Sequence, residues 1–121
     1  MHIESIQRNG VKIAVVTGGE KVLTDGQSAL DLLATVNYEA SADRIAIDKD
    51  TVADEFFVLS TGLAGDVLQK FVTYQTKVAI YGDYTGYTSK PLKDFIYESN
   101  KGSHVFFLPT KEEALERLAG G

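Results

Sequence analysis

At 121 residues with 44% apolar content, the chain is long enough for one domain with a real hydrophobic core. A formal net charge of −5 argues against a binder of duplex nucleic acid, which needs clustered Lys and Arg to replace counterions. The absence of cysteine excludes disulfides, thiolate metal sites and cysteine nucleophiles.

The segment 2–8 reads as a weak strand whose only large apolar side chains are Ile3 and Ile6. It has no basic stretch followed by an apolar run, so it does not read as a secretion signal. Asn9-Gly10 follows. Both central positions of a type I′ turn need positive φ, so this pair predicts a two-residue hairpin into a second strand over 11–16. Thr17-Gly18-Gly19-Glu20 breaks the chain and lacks the third glycine and strand-to-helix setting of a dinucleotide fingerprint. Thr24 or Asp25 caps a first helix running to about Tyr38, with Ala29, Leu32, Leu33 and Val36 at the spacing of a buried stripe.

Residues 44–47 form the next strand and lead into an acidic loop, 48–55. A second helix is expected over about 60–74, where Leu63, Ala64, Val67, Leu68, Phe71 and Val72 span a wide apolar arc. The strand 77–81 ends at Gly82-Asp83 and opens the polar, aromatic loop Tyr84-Thr85-Gly86-Tyr87-Thr88. Thr88 or Ser89 starts a third helix, with Pro91 tolerated in its first turn and Leu92, Phe95, Ile96 and Ser99 on one face. Asn100-Lys101-Gly102 stops that helix. A last strand, 104–108, precedes Thr110-Lys111-Glu112-Glu113, which reads as the capping box of a final helix reaching about Ala119.

The order is therefore β-β-α-β-α-β-α-β-α. The runs at 45–47, 78–81 and 105–108 are continuously apolar, as strands covered on both faces by crossover helices are. The expectation is one α/β domain over 1–121. Its mixed, mostly parallel sheet of about five strands should have only the first strand antiparallel, right-handed crossovers and four flanking helices. No apolar run approaches the roughly 20 residues of a membrane span, so the expected protein is cytoplasmic and free of membrane contact.

This order resembles the STAS fold of anti-sigma-factor antagonists. The stretches Ile45-Ala46-Ile47-Asp48, Ser60-Thr61-Gly62-Leu63, and Phe107-Leu108-Pro109-Thr110 with Glu112-Glu113-Ala114-Leu115 carry the likeness. The resemblance implies a STAS-like domain that regulates through protein contacts and a phosphorylatable alcohol at Ser60 or Thr61. In the antagonists an aspartate directly precedes the phosphorylated serine pair; here Leu59 stands there and Asp54 lies six residues before Ser60. Longer stretches resemble an uncharacterised family of bacterial STAS-like domains, domain of unknown function 4180. They are 24–32, Phe56-Phe57-Val58-Leu59-Ser60-Thr61-Gly62-Leu63-Ala64-Gly65, and 93–102. That resemblance implies no activity.

The chemistry-bearing groups admit two readings each. Ser60-Thr61-Gly62 can cap the second helix through one hydroxyl, or present an anion site at a helix start. Asp48, Asp50, Asp54, Glu55, Asp25 and Asp83 can converge at the carboxyl end of the strands and hold Mg²⁺ or Ca²⁺, or serve as caps in a solvated loop. Tyr74, Tyr81 and Tyr97 are expected to finish the core rim, while Tyr84 and Tyr87 are harder to bury and suit a binding surface. Of Phe56 and Phe57, one should pack beneath the second helix and the other stay partly exposed. His2 and His104 have no triad or metal spacing and read as structural.

With no catalytic signature and no cofactor motif, the leading expectation is a non-enzymatic regulatory module. Its surface would comprise Asp54, Phe56, Ser60, Thr61, Gly62, Asp83, Tyr84, Tyr87 and Thr88. Its partner is a protein, a second copy included, or a small anionic ligand. The alternative is a small-ligand or nucleotide sensor using the helix start Ser60 to Gly65. A carboxylate-based hydrolase ranks third, because a fold alone implies no function.

Overall fold

The computed structural model describes residues 1–120. β1 (His2–Arg8) and β2 (Val11–Thr17) form the expected hairpin, with Asn9 at φ 53° and Gly10 at φ 77°. The remaining elements are α1 (Gly26–Ala40), β3 (Arg44–Asp48), α2 (Leu63–Thr73), β4 (Lys77–Tyr81), α3 (Lys90–Lys101), β5 (Val105–Leu108) and α4 (Lys111–Ala119). The five strands lie in chain order, β1-β2-β3-β4-β5. β1 is antiparallel to β2, and every later pairing is parallel.

Sequential order has a geometric consequence. Each crossover steps the same way across the sheet, so right-handed connections put α1, α2 and α3 on one face. The core on that face joins Val16, Ile45, Ile47, Val78, Ile80 and Phe107 to Leu32, Val36, Val67, Phe71 and Leu92. The other face is left to α4 alone. There the sheet offers Ile13, Val15, Ala46, Ala79 and Phe106 to Ala114, Leu115 and Leu118. Alanines at the centres of β3 and β4 let this single helix lie close, and each buried leucine contributes roughly 1.5–3 kcal/mol relative to exposure. The Arg44 guanidinium donates to the Leu118 carbonyl, and the Arg117 guanidinium stacks 4.2 Å over the Phe106 ring. No helix among the described residues is long and apolar enough to cross a membrane.

The caps follow local chemistry. Asp25 caps α1: its carboxylate accepts from Ser28 N at 2.7 Å, while the Ser28 hydroxyl accepts from Asp25 N at 3.0 Å, a reciprocal box. Ser89 caps α3. At α4 only half of the expected box forms. Thr110 Oγ1 accepts from Glu113 N, but the Glu113 carboxylate takes the Thr110 hydroxyl proton rather than the backbone N–H.

Candidate functional site

The carboxyl ends of β3 and β4 carry the loops that the sequence marks. Asp48 closes a short 3-10 turn, Lys49–Thr51: its carboxylate accepts from Asp50 N at 2.8 Å, and its carbonyl accepts from the buried Thr51 hydroxyl at 2.6 Å. Val22 N donates to Thr51 O, Ala53 N donates to Leu23 O, and the Lys21 ammonium reaches the carbonyls of Asp50 and Val52. The loop expected to be solvated is thus stitched to residues 21–23, with Thr51, Val52 and Ala53 buried. Asp54 remains on the surface, 3.7 Å from Lys21 Nζ.

A second 3-10 turn, Asp54–Phe57, changes the expected division of labour between the two phenylalanines. Both are buried, at 1% and 6% exposure. A tight turn splays successive side chains to different sides, and here both sides are walled. Phe56 meets Phe107 at 6.3 Å between ring centres, while Phe57 stacks on Tyr87 at 5.2 Å and leans on Tyr84 at 5.9 Å. Phe56 therefore supports the surface from beneath instead of lining it.

A third turn, Leu59–Thr61, precedes α2, which begins at Leu63 rather than near 60. Gly62, at φ 77°, occupies the position before the helix. The two alcohols part company. Thr61 Oγ1 accepts from Leu63 N at 3.2 Å and donates towards the carbonyls of Glu55 and Val58 at 2.9 and 2.8 Å. Thr61 thus meets the first N–H of α2 from one residue ahead of Gly62, which has no side chain to cap with, and ties the preceding turns together. Ser60 is exposed beside Val58, which is half exposed.

The loop after β4 packs where the sequence suggested exposure. The Tyr84 hydroxyl donates to Ile80 O at 2.7 Å, and its ring meets Tyr87 and Phe107 at 6.0 and 5.9 Å. Burial pushes the Tyr84 phenol pKa well above its ordinary value, with Tyr87 and Asp48 adding to the shift. Tyr74 and Tyr97, expected at the core rim, are instead 61% and 62% exposed. Asp83 folds back on its own loop, accepting from Thr85 N at 2.9 Å and from the Thr85 hydroxyl at 2.6 Å. Those bonds, with Lys49 nearby, hold its carboxyl below the usual range. Thr88 is exposed just ahead of the α3 cap.

One residue joins the two loops. Lys49 reaches from the β3 loop along Gly82, and its ammonium lies 5.0 Å from the Tyr87 ring centre and 5.8 Å from that of Phe57. The Tyr87 hydroxyl, foremost, and the Asp50 and Asp54 carboxylates push its pKa up. Sequence reasoning missed this residue. The available signal was a single cation inside the run Asp48-Lys49-Asp50, beside two aromatic stretches.

The acidic residues do not converge. Asp25, Asp48 and Asp83 are each committed to local backbone groups, and among the described residues no three His, Asp or Glu side chains are placed to hold a metal ion. A cavity of about 360 Å³ opens beside the loop, lined by Tyr84, Ile96, Phe107 and Pro109 together with 82–83 and Thr85. It lies against α3 and β5 and does not include the front of α2. A larger groove of about 430 Å³ lies between the latter part of α1 and Tyr74, near the start of β3.

A comparison with curated proteins and with solved structures finds no match. Residues 8–118 match the family described as Domain of unknown function (DUF4180), a span that holds β2 to β5, all of α1, α2 and α3, and every loop of this surface. The chain belongs to that family.

Proposed function

We propose that this domain is a non-enzymatic, STAS-like regulatory module that binds another protein in the cytoplasm through the turn 58–62 and the loop 83–88. The observation that carries the reading is the strand order. Open α/β sheets bind nucleotides and other small ligands in the crevice where the strand order reverses. An order of β1-β2-β3-β4-β5 never reverses, so that crevice has no place to form. Instead, the aromatic group Phe57, Tyr84 and Tyr87 closes over the strand ends, and Lys49 lies on top. Asp48, Asp83 and Thr61 are spent on internal hydrogen bonds. What remains for a partner is the half-exposed Val58, the Ser60 hydroxyl, the Tyr87 edge and one cation, a mixture that suits an interface better than a reaction. Ser60 is the alcohol open to phosphorylation, because the Thr61 hydroxyl is already engaged.

The test is affinity capture from native extract with the wild type, Ser60→Asp and Tyr87→Ala, with intact-mass measurement of the recovered domain. A partner retained by the wild type and lost with both variants is the expected result. Identical recovery with all three rejects this surface. Turnover of phosphoester substrates that disappears in Asp83→Asn rejects the non-enzymatic class.

A further inference from the structure

The two edges of the sheet are treated differently. At the β5 edge, the Asn100 side chain fills the place of a neighbouring strand: Oδ1 accepts from Phe107 N at 2.7 Å, and Nδ2 donates to Phe107 O at 3.0 Å. The β1 edge carries few of the usual obstacles, its only charged side chains being Glu4 and Arg8. It runs for seven residues in unbroken register from His2↔Thr17 to Arg8↔Val11, without a bulge, a proline or a lysine. In a two-residue hairpin the residues flanking the turn form a hydrogen-bonded pair, so Arg8, Ile6 and Glu4 turn their backbone groups to β2. Those of Ile3, Ser5 and Gln7 therefore point off the sheet, and among the described residues no hydrogen bond reaches them.

From this edge and its charge pattern we infer that β1 pairs antiparallel with β1 of a second copy about a two-fold axis at Ile6, making one continuous sheet. In that register Ser5 faces Gln7 of the second copy, and the outward backbone groups of both meet as a hydrogen-bonded pair. Ile6 faces Ile6, and Glu4 faces Arg8 in both directions, on the α4 side of the sheet. Arg8 is already held there by Glu112 at 2.8 Å, so its guanidinium stands ready in the right layer. An axis at Ser5 would put Glu4 opposite Ile6 and Arg8 opposite His2, forfeiting both opposite-charge pairs, which stabilise cross-strand contacts. A foreign strand would have to supply this charge pattern; a second copy carries it by symmetry. The edge is remote from the 83–88 loop and does not depend on the function proposed for it.

The experiment is sedimentation equilibrium of the untagged full chain from micromolar to millimolar concentration, with amide exchange at Ser5 and Gln7. The wild type should form a concentration-dependent dimer in which those two amides are slowed. Ser5→Pro removes an outward N–H and spares the hairpin, so it should raise the dimer dissociation constant about tenfold or more. Should that variant unfold, the charges give an independent reading: Glu4→Arg should weaken the dimer, and adding Arg8→Glu should restore it. A wild type that stays monomeric overturns the inference. So does a dimer indifferent to both kinds of variant, or protection of Ser5 and Gln7 that arises only with a different protein.

Discussion

The Lys49 side chain lies directly across Gly82. A Cβ added at Gly82 would stand 2.7 Å from Lys49 Cβ and 3.1 Å from its Cδ. Gly82 follows β4 and Lys49 follows β3, so this contact sets the distance between the loops after those two strands. Gly82→Ala should cost roughly 1–3 kcal/mol as a steric intrusion, read from urea unfolding. Because the nearest atom is the Lys49 Cβ, Lys49→Ala should not relieve that loss, whereas Lys49→Gly should recover part of it. Equal recovery by both would show that only the long end of the side chain matters.

Phe56 and Phe57 should be equally costly to lose. Both are buried against other aromatic rings, so each truncation to alanine removes a large packed side chain and leaves a cavity worth about 3–5 kcal/mol. Tyr87 is only partly buried, and its truncation should cost clearly less. Chemical denaturation of the three variants checks the ranking, and a mild effect at Phe57 would mean that its wall of tyrosines is loose.

Thr61→Ala and Ser60→Ala should separate sharply, although the residues are neighbours. The Thr61 hydroxyl bridges a helix N–H and two carbonyls, so its removal should lower stability by about 1–2 kcal/mol. Ser60→Ala should stay within about 0.5 kcal/mol, as substitutions at exposed positions usually do. A large loss at Ser60, measured by thermal unfolding, would contradict this assignment.

What the sequence made legible was whatever a short stretch decides alone. Asn9-Gly10 specified its turn because the required φ values belong to those two residues, and Asp25 and Ser89 capped their helices through bonds within one turn of chain. The parallel pairing of the later strands followed from continuous apolar runs and short crossovers, whereas the order of the strands in the sheet came only from the structure. The site was harder, because burial there comes from residues distant in sequence. Tyr84 and Tyr87 read as exposed beside Gly86, yet Phe57 and Phe107 arrive to cover them. Tyr74 sits at the end of an apolar helix and read as rim, but it caps the last turn and faces outward. Of the carboxylates expected to converge, Asp25, Asp48 and Asp83 each found a closer backbone N–H first, and Asp54 stayed on the surface beside Lys21.

Asn100 should prove more important than a helix-stop residue. Its amide satisfies both outward backbone groups of Phe107, and no aliphatic residue can do so. Asn100→Leu should lose about 1–3 kcal/mol, because a partly buried donor and acceptor are left without partners. It should also increase concentration-dependent aggregation by freeing the β5 edge. Asn100→Asp keeps the acceptor for Phe107 N and loses the donor to Phe107 O, so it should fall between the wild type and Asn100→Leu. Light scattering during unfolding titrations distinguishes the edge effect from simple destabilisation.

Tyr84 should make the fold sensitive to alkali. In the unfolded chain its phenol loses a proton near pH 10, the ordinary tyrosine value. In the folded chain the proton is retained to higher pH, because burial beside Tyr87 and Asp48 disfavours the phenolate. Below about pH 10 both states are neutral, and the group's contribution to stability is fully present. Above it the folded state binds more protons than the unfolded one, so stability falls as pH rises, by at most about 1.4 kcal/mol per pH unit for this group. Tyr81, raised by its own burial, adds a smaller loss of the same sign. Tyr84→Phe removes the ionisable group and its hydrogen bond to Ile80 O together. That variant should be less stable than the wild type at neutral pH, yet lose less stability between pH 9 and 11.5, a window set around the ordinary tyrosine value. Urea midpoints across that window give both slopes, and parallel curves for the two proteins would place the alkaline sensitivity elsewhere.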